Sequence, residues 1–121
     1  MQAPEYFNET AKIYFEFVVE ELQKIDQLNP TDRPVIEALA FNLWTLQKCQ
    51  KTLMEEGFIL DGLHGKKEHP AVSISMKAQA KVLESFKVLG LDASMRLKID
   101  KNEDNVGPSE FLQNLIGGKH K

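Results

Sequence analysis

Residues 29–57, NPTDRPVIEALAFNLWTLQKCQKTLMEEG, decide the fold. Asn29 can accept from a free backbone N–H, Pro30 suits the first helical position and Asp32 sits near the positive end of a helix dipole. A helix therefore opens here, although Pro34 lacks an N–H one turn later and leaves Thr31 or Asp32 as the alternative cap. Ile36, Leu39, Ala40, Leu43, Leu46, Cys49 and Leu53 recur at steps of three and four and carry an apolar face to about Met54. Gly57 supplies the stop. Trp44 lies close to this face, as a core or interface anchor.

Upstream, Phe7, Ala11, Tyr14, Val18, Leu22, Ile25 and Leu28 form one stripe, which predicts a first helix of about six turns. Ile13, Phe15, Phe17 and Val19 lie off that stripe, so the helix is apolar around much of its girth and needs cover on more than one side. A neighbouring subunit can supply part of it, and Ile13, Phe17, Val19 and Trp44 are the expected oligomer interface. The short link between the two helices predicts an antiparallel hairpin.

Downstream, residues 57–70 hold three glycines and a proline, which interrupt helix. Phe58 to Leu60 is expected to be briefly extended. His69 and Pro70 open a third helix with adjacent stripes, Val72, Met76, Ala80, Leu83 and Ala78, Val82, Phe86, Leu89, ending at Gly90. Ser73, Lys77, Lys81 and Ser85 are spaced by four and make a polar, basic row on its other side. Asp92 is placed to cap a short fourth helix through Lys98. A polar stretch from Lys101 to Pro108, a last short helix over Ser109 to Ile116 and a mobile Lys119-His120-Lys121 tail complete the expectation. The fold predicted is all-α: a long helical hairpin, a third helix and short C-terminal helices. Residues 1–100 are expected to form the helical core, and 101–121 a loop, short helix and basic tail.

With 121 residues, 42% hydrophobic and 27% charged, the chain has room for one packed domain and excludes wholesale disorder. No apolar run approaches the roughly 18–20 residues that cross a bilayer, and Met1-Gln2-Ala3-Pro4-Glu5 lacks the basic and apolar parts of a secretory signal. An intracellular protein without membrane contact is expected. Cys49 is the only cysteine, so no internal disulfide forms, and it reads as core. Charge is divided unevenly: residues 1–65 carry 5 Lys/Arg against 11 Asp/Glu, whereas residues 66–121 carry 10 against 7. The second half is where an anionic partner would bind, unless both halves are simply solvated faces.

Catalytic signatures do not assemble. Asp100, Asn102 and Asp104 have calcium-loop spacing, but the sixth position is Asn105 rather than Gly and the twelfth is Phe111 rather than Glu. Gly65-Lys66-Lys67 resembles part of a phosphate loop without its earlier glycine or its Ser/Thr. His64, His69 and His120 lack partners at metal-ligand spacing, and His69 reads as the start of a helix. No metal, no cofactor and no enzymatic activity are expected.

Several features now stand in order: Leu28-Asn29-Pro30-Thr31-Asp32 leading to Trp44 and Leu53, the Gly57 break, His69-Pro70-Ala71-Val72, and Leu89-Gly90-Leu91-Asp92-Ala93-Ser94-Met95-Arg96. Together, over roughly residues 10–100, they resemble the small subunit of bacteriophage terminase, in a branch with a His-Pro-Ala helix start and a Leu-Gly-Leu closing segment. Ala93 stands where that family more often has Pro, and the C-terminal tail is short and weakly basic. The resemblance implies a protein that binds double-stranded viral DNA and passes it to the large terminase subunit, which holds the ATPase and nuclease. It also implies a homo-oligomeric ring of about eight to ten copies and residence in the cytoplasm of the infected bacterial host.

Lys66, Lys67, Lys77, Lys81, Arg96 and Lys98, with Lys119 and Lys121 of the tail, are the expected DNA-binding residues, a band repeated around the ring. Two other readings compete: a helix-turn-helix regulator, which needs a short basic recognition helix three or four residues after its partner, and a helical adaptor or scaffold with no nucleic-acid role.

Overall fold

The computed structural model describes residues 1–91. Its elements are α1 (Glu9–Lys24), a 3-10 turn (Pro30–Asp32), α2 (Arg33–Glu56), β1 (Ile59–Gly62), β2 (Gly65–Glu68) and α3 (Pro70–Leu89). The fold is thus mostly helical, and the all-α expectation is corrected by a two-stranded antiparallel ribbon pairing Ile59 with Glu68 and Gly62 with Gly65. The expected helices beyond residue 91, and the boundary at residue 100, lie outside the described residues.

Asn8 opens α1, its Oδ1 accepting from the Ala11 N–H at 2.9 Å. The helix ends four residues short of the expected Leu28. Asp26 turns left-handed at φ 58°, the Gln27 N–H donates to the Leu22 carbonyl at 2.8 Å, and the Asp26 N–H donates to that of Gln23 at 3.1 Å. This paired closure satisfies carbonyls of the last turn. Ile25 and Leu28 still pack on the core, from the loop rather than from the helix. Asn29 accepts from the Thr31 N–H and hydroxyl, both at 2.9 Å, but what it caps is the 3-10 turn. The long helix begins only at Arg33, which leaves Pro34 within its first positions, where a missing N–H costs nothing.

His69 and Gly90 bound α3 as expected. Gly90 is left-handed at φ 80°, and the Leu91 N–H donates to the Phe86 carbonyl at 2.8 Å, folding Leu91 back onto the core. α3 returns along α2: His69 bonds to Glu56 at the far end of α2, while Phe86 and Leu89 share a core with Ile36 and Leu39 near its start. The most extensive helix pair is therefore α2 with α3, and α1 covers α2 less.

One cluster holds Phe7, Tyr14, Phe15, Val18, Val19 and Leu22 of the N-terminal segment, Ile36, Leu39 and Leu43 of α2, and Val82, Phe86, Leu89 and Leu91. Phe7 meets Phe15 edge to face at 6.4 Å, and the Arg33 guanidinium lies 5.6 Å from the centre of the Phe15 ring. Burial pushes the Tyr14 hydroxyl up to about 12. Beyond this cluster, Leu46 and Leu53 of α2 and Ala71 and Ala78 of α3 are buried outside it. Two helices cannot enclose a core by themselves, and Met54, Ile74 and Met76 remain exposed.

Candidate nucleic-acid interface

Charge in this molecule is laid out by element. Of the residues from 66 to 121, those from 66 to 91 carry 5 Lys/Arg against 2 Asp/Glu, and those from 92 to 121 carry 5 against 5. The whole positive surplus of the second half therefore belongs to β2 and α3. α1 carries 4 Asp/Glu against 2 Lys/Arg, with Glu16 and Glu20 on its exposed side, whereas α2 is balanced at 3 against 3.

α3 holds Lys77 and Lys81 four residues apart on one side, both exposed, with Ser73 exposed one turn earlier and Ser85 half-buried one turn later. Lys81 has Glu84 at 3.7 Å, with both side chains mostly in water, so the pair holds little energy. Lys66 and Lys67 stand on β2, also exposed; adjacent strand residues point to opposite faces, so they flank the ribbon rather than form one patch. The Lys66 ammonium pairs with Asp61 across the ribbon at 2.7 Å. Among the described residues no carboxylate pairs with Lys67 or Lys77. Lys66, Lys67, Lys77 and Lys81 thus share one arm of the molecule, the ribbon with the helix that follows it. Arg96, Lys98, Lys119 and Lys121 lie outside the described residues.

His69 joins this arm to α2. Its Nδ1 accepts from the Ala71 N–H at 3.0 Å, which places the proton of the neutral ring on Nε2, and Nε2 lies 2.8 Å from Glu56 Oε1. The His69 N–H donates to the Phe58 carbonyl at 2.7 Å. The His-Pro-Ala triplet is a structural joint: cap, first helical residue, and a buried Ala71. Among the described residues no three potential metal ligands converge, and no helix is long and apolar enough to cross a membrane.

The expected oligomer contacts divide. Ile13 is 51% exposed, and Phe17, one turn along the same side of α1, is half-buried. Trp44 is half-buried against the core, with Phe41 tilted on it at a ring separation of 5.8 Å. Val19 is 6% exposed and sits in the protomer's own core. Phe41, half exposed, escaped the sequence reading because it lies off the α2 stripe; its spacing of three from Trp44 was the available signal. Of the two α3 stripes, Ala78, Val82, Phe86 and Leu89 are buried, whereas Met76 and Leu83 are exposed.

The family model for phage terminase small subunit matches residues 11–106, a span that takes in all three helices and the ribbon except the first two residues of α1. No curated protein and no solved structure matches.

Proposed function

This chain belongs to the phage terminase small-subunit family, and on that premise we propose that it serves phage DNA packaging as a ring-forming, DNA-binding subunit. It binds double-stranded genomic DNA, assembles as a closed homo-oligomer and delivers the DNA to the large subunit, whose ATPase and nuclease move it into the procapsid. The small subunit contributes no chemical step of its own and works in the cytoplasm of the infected host.

The observation that carries the DNA part is the confinement of the positive surplus to β2 and α3, with Lys77 and Lys81 exposed on one side of a helix. One copy offers a modest patch; repeated around a ring, the patch becomes a band that holds phosphates without reading bases. Ile13, Phe17 and Trp44, with Phe41 beside it, supply the apolar surface for the contact between copies; Val19 acts only by supporting them from beneath. A helix-turn-helix reader is disfavoured, because among the described residues α2 and α3 are joined by a ribbon and α1 and α2 by a loop with a 3-10 turn, neither being the three- or four-residue turn that motif needs.

Filter binding to duplex DNA tests the assignment. Replacing Lys77 and Lys81 together with Glu should abolish binding at moderate salt while helicity and assembled mass stay unchanged, and wild-type affinity should fall steeply as salt rises. Unchanged affinity in the double variant would move the DNA surface off α3.

A further inference from the structure

We propose that the β1–β2 ribbon is a DNA arm whose tip residue, Leu63, enters the minor groove and wedges between base steps. This rests on the DNA-binding reading above and adds a mode of contact that the basic row on α3 does not supply.

The ribbon is largely exposed. Of its eight strand residues only Leu60 and Gly62 are even half-buried. A two-stranded hairpin is at best marginally stable alone in water, so a hairpin fully exposed on one face and only half-covered on the other, at Leu60 and Gly62, is the natural place for a partner. Leu63 lies at the turn and is 93% exposed, the most exposed large apolar side chain among the described residues. It contributes almost nothing to the fold.

The tip is also slender. Gly62 and Gly65 flank the Leu63-His64 turn, and a Cβ on Gly62 would lie 2.8 Å from the Gly65 carbonyl oxygen, so the turn closes only with glycine there. A strand pair of four residues reaches about 13 Å, and the minor groove is about 6 Å wide. Two strands about 4.8 Å apart with their side chains are too broad for that slot, so only the Leu63 tip enters while the strands straddle the groove, and leucine is among the residues that architectural proteins insert between base steps to kink the duplex.

Charge selects nucleic acid over an apolar protein partner. The ribbon's two carboxylates are Asp61, which faces Lys66, and Glu68 at its base, so the outer segment from Gly62 to Lys67 holds two lysines, one histidine and no carboxylate. Lys66 and Lys67 leave opposite faces of the ribbon, as phosphates on the two walls of a groove require. The Asp61–Lys66 pair does not oppose this: both side chains are largely exposed, at 86% and 74%, so a phosphate replaces the carboxylate at little cost.

The test uses the full chain and a duplex of about 40 base pairs, long enough to report a bend on this scale, carrying a fluorophore at each end. Wild-type protein should bind and shorten the end-to-end distance. Leu63→Ala should remove the bend and weaken binding about tenfold while leaving helicity, assembled mass and the salt dependence unchanged. Replacing Lys66 and Lys67 with Ala should lower the slope of log affinity against log salt by about 2. If wild-type protein binds without bending, or Leu63→Ala bends DNA as wild type does, the arm is refuted and the packaging reading stands. If Leu63→Ala instead lowers the assembled mass and leaves the bend intact, the tip is a protein contact and the proposal fails. Wild-type protein that does not bind duplex DNA refutes the packaging reading, and the arm with it.

Discussion

His69 shows how much one side chain can hold. Its ring caps α3 through Nδ1 and reaches Glu56 through Nε2, while its backbone closes on Phe58, so one residue ties α3, α2 and the ribbon base together. Removing a side-chain cap typically costs about 1 kcal/mol, and the Glu56 contact adds little because that carboxylate is half in water. His69→Ala should therefore lower stability by about 1–2 kcal/mol in urea titrations at unchanged m-value, and His69→Asn, which keeps an acceptor for the Ala71 N–H, should recover much of it. Equal loss in both variants would show that the cap is not what His69 contributes. The sequence signals at this residue and at Gly90 were legible because caps and stops are local chemistry: an acceptor before Pro70 and a residue without Cβ at a left-handed position need no knowledge of the rest of the chain.

At the scale of elements, legibility falls where a neighbour decides the outcome. The apolar stripe of α1 runs on to Leu28, yet the helix closes at Lys24 because Asp26 takes a left-handed conformation and the following turn brings Ile25 and Leu28 onto the core by another route. An L-residue with a Cβ holds that conformation at a cost of about 1 kcal/mol. Asp26→Gly should accordingly raise stability by about 0.5–1 kcal/mol after the added flexibility of the unfolded chain is subtracted, read as a higher denaturation midpoint; a lower midpoint would mean that the Asp26 carboxylate itself stabilises the turn. The ribbon was hidden for another reason. Ile-Leu-Asp-Gly and Gly-Lys-Lys-Glu lack the apolar alternation of a half-buried strand because no side chain of the ribbon is fully buried, and only the two-residue spacing between Gly62 and Gly65 marked a hairpin. Periodicity also gave α3 two apolar stripes without saying which would be covered: α2 packs on the Val82 and Phe86 side and leaves Met76 and Leu83 in water.

At the scale of the molecule, the described residues combine a three-helix core at one end with a two-helix arm and ribbon at the other, acidic on α1, balanced on α2 and basic on β2 and α3. The sequence disclosed the surplus of apolar surface on α1 but not its extent. Phe15 and Val19 are absorbed by the protomer's own core, and the exposed remainder is centred on Ile13 and Phe17. That division yields a clean test of the contact between copies. Ile13→Asp, at a residue half in water, should leave helicity and the denaturation midpoint nearly unchanged and reduce the assembled mass, since a carboxylate buried without a partner opposes association. Trp44→Ala should reduce both, because Trp44 also packs on the core. An Ile13→Asp protein with wild-type mass would take this side of α1 out of the interface.

The central claim, a closed assembly of many copies rather than a single-chain regulator or adaptor, is tested most directly by the light-scattering mass of the wild-type protein in dilute solution. The account predicts one species at about eight to ten times the 13.8 kDa of a single chain, unchanged on further dilution. A mass of 13.8 kDa, or of two chains, would contradict it.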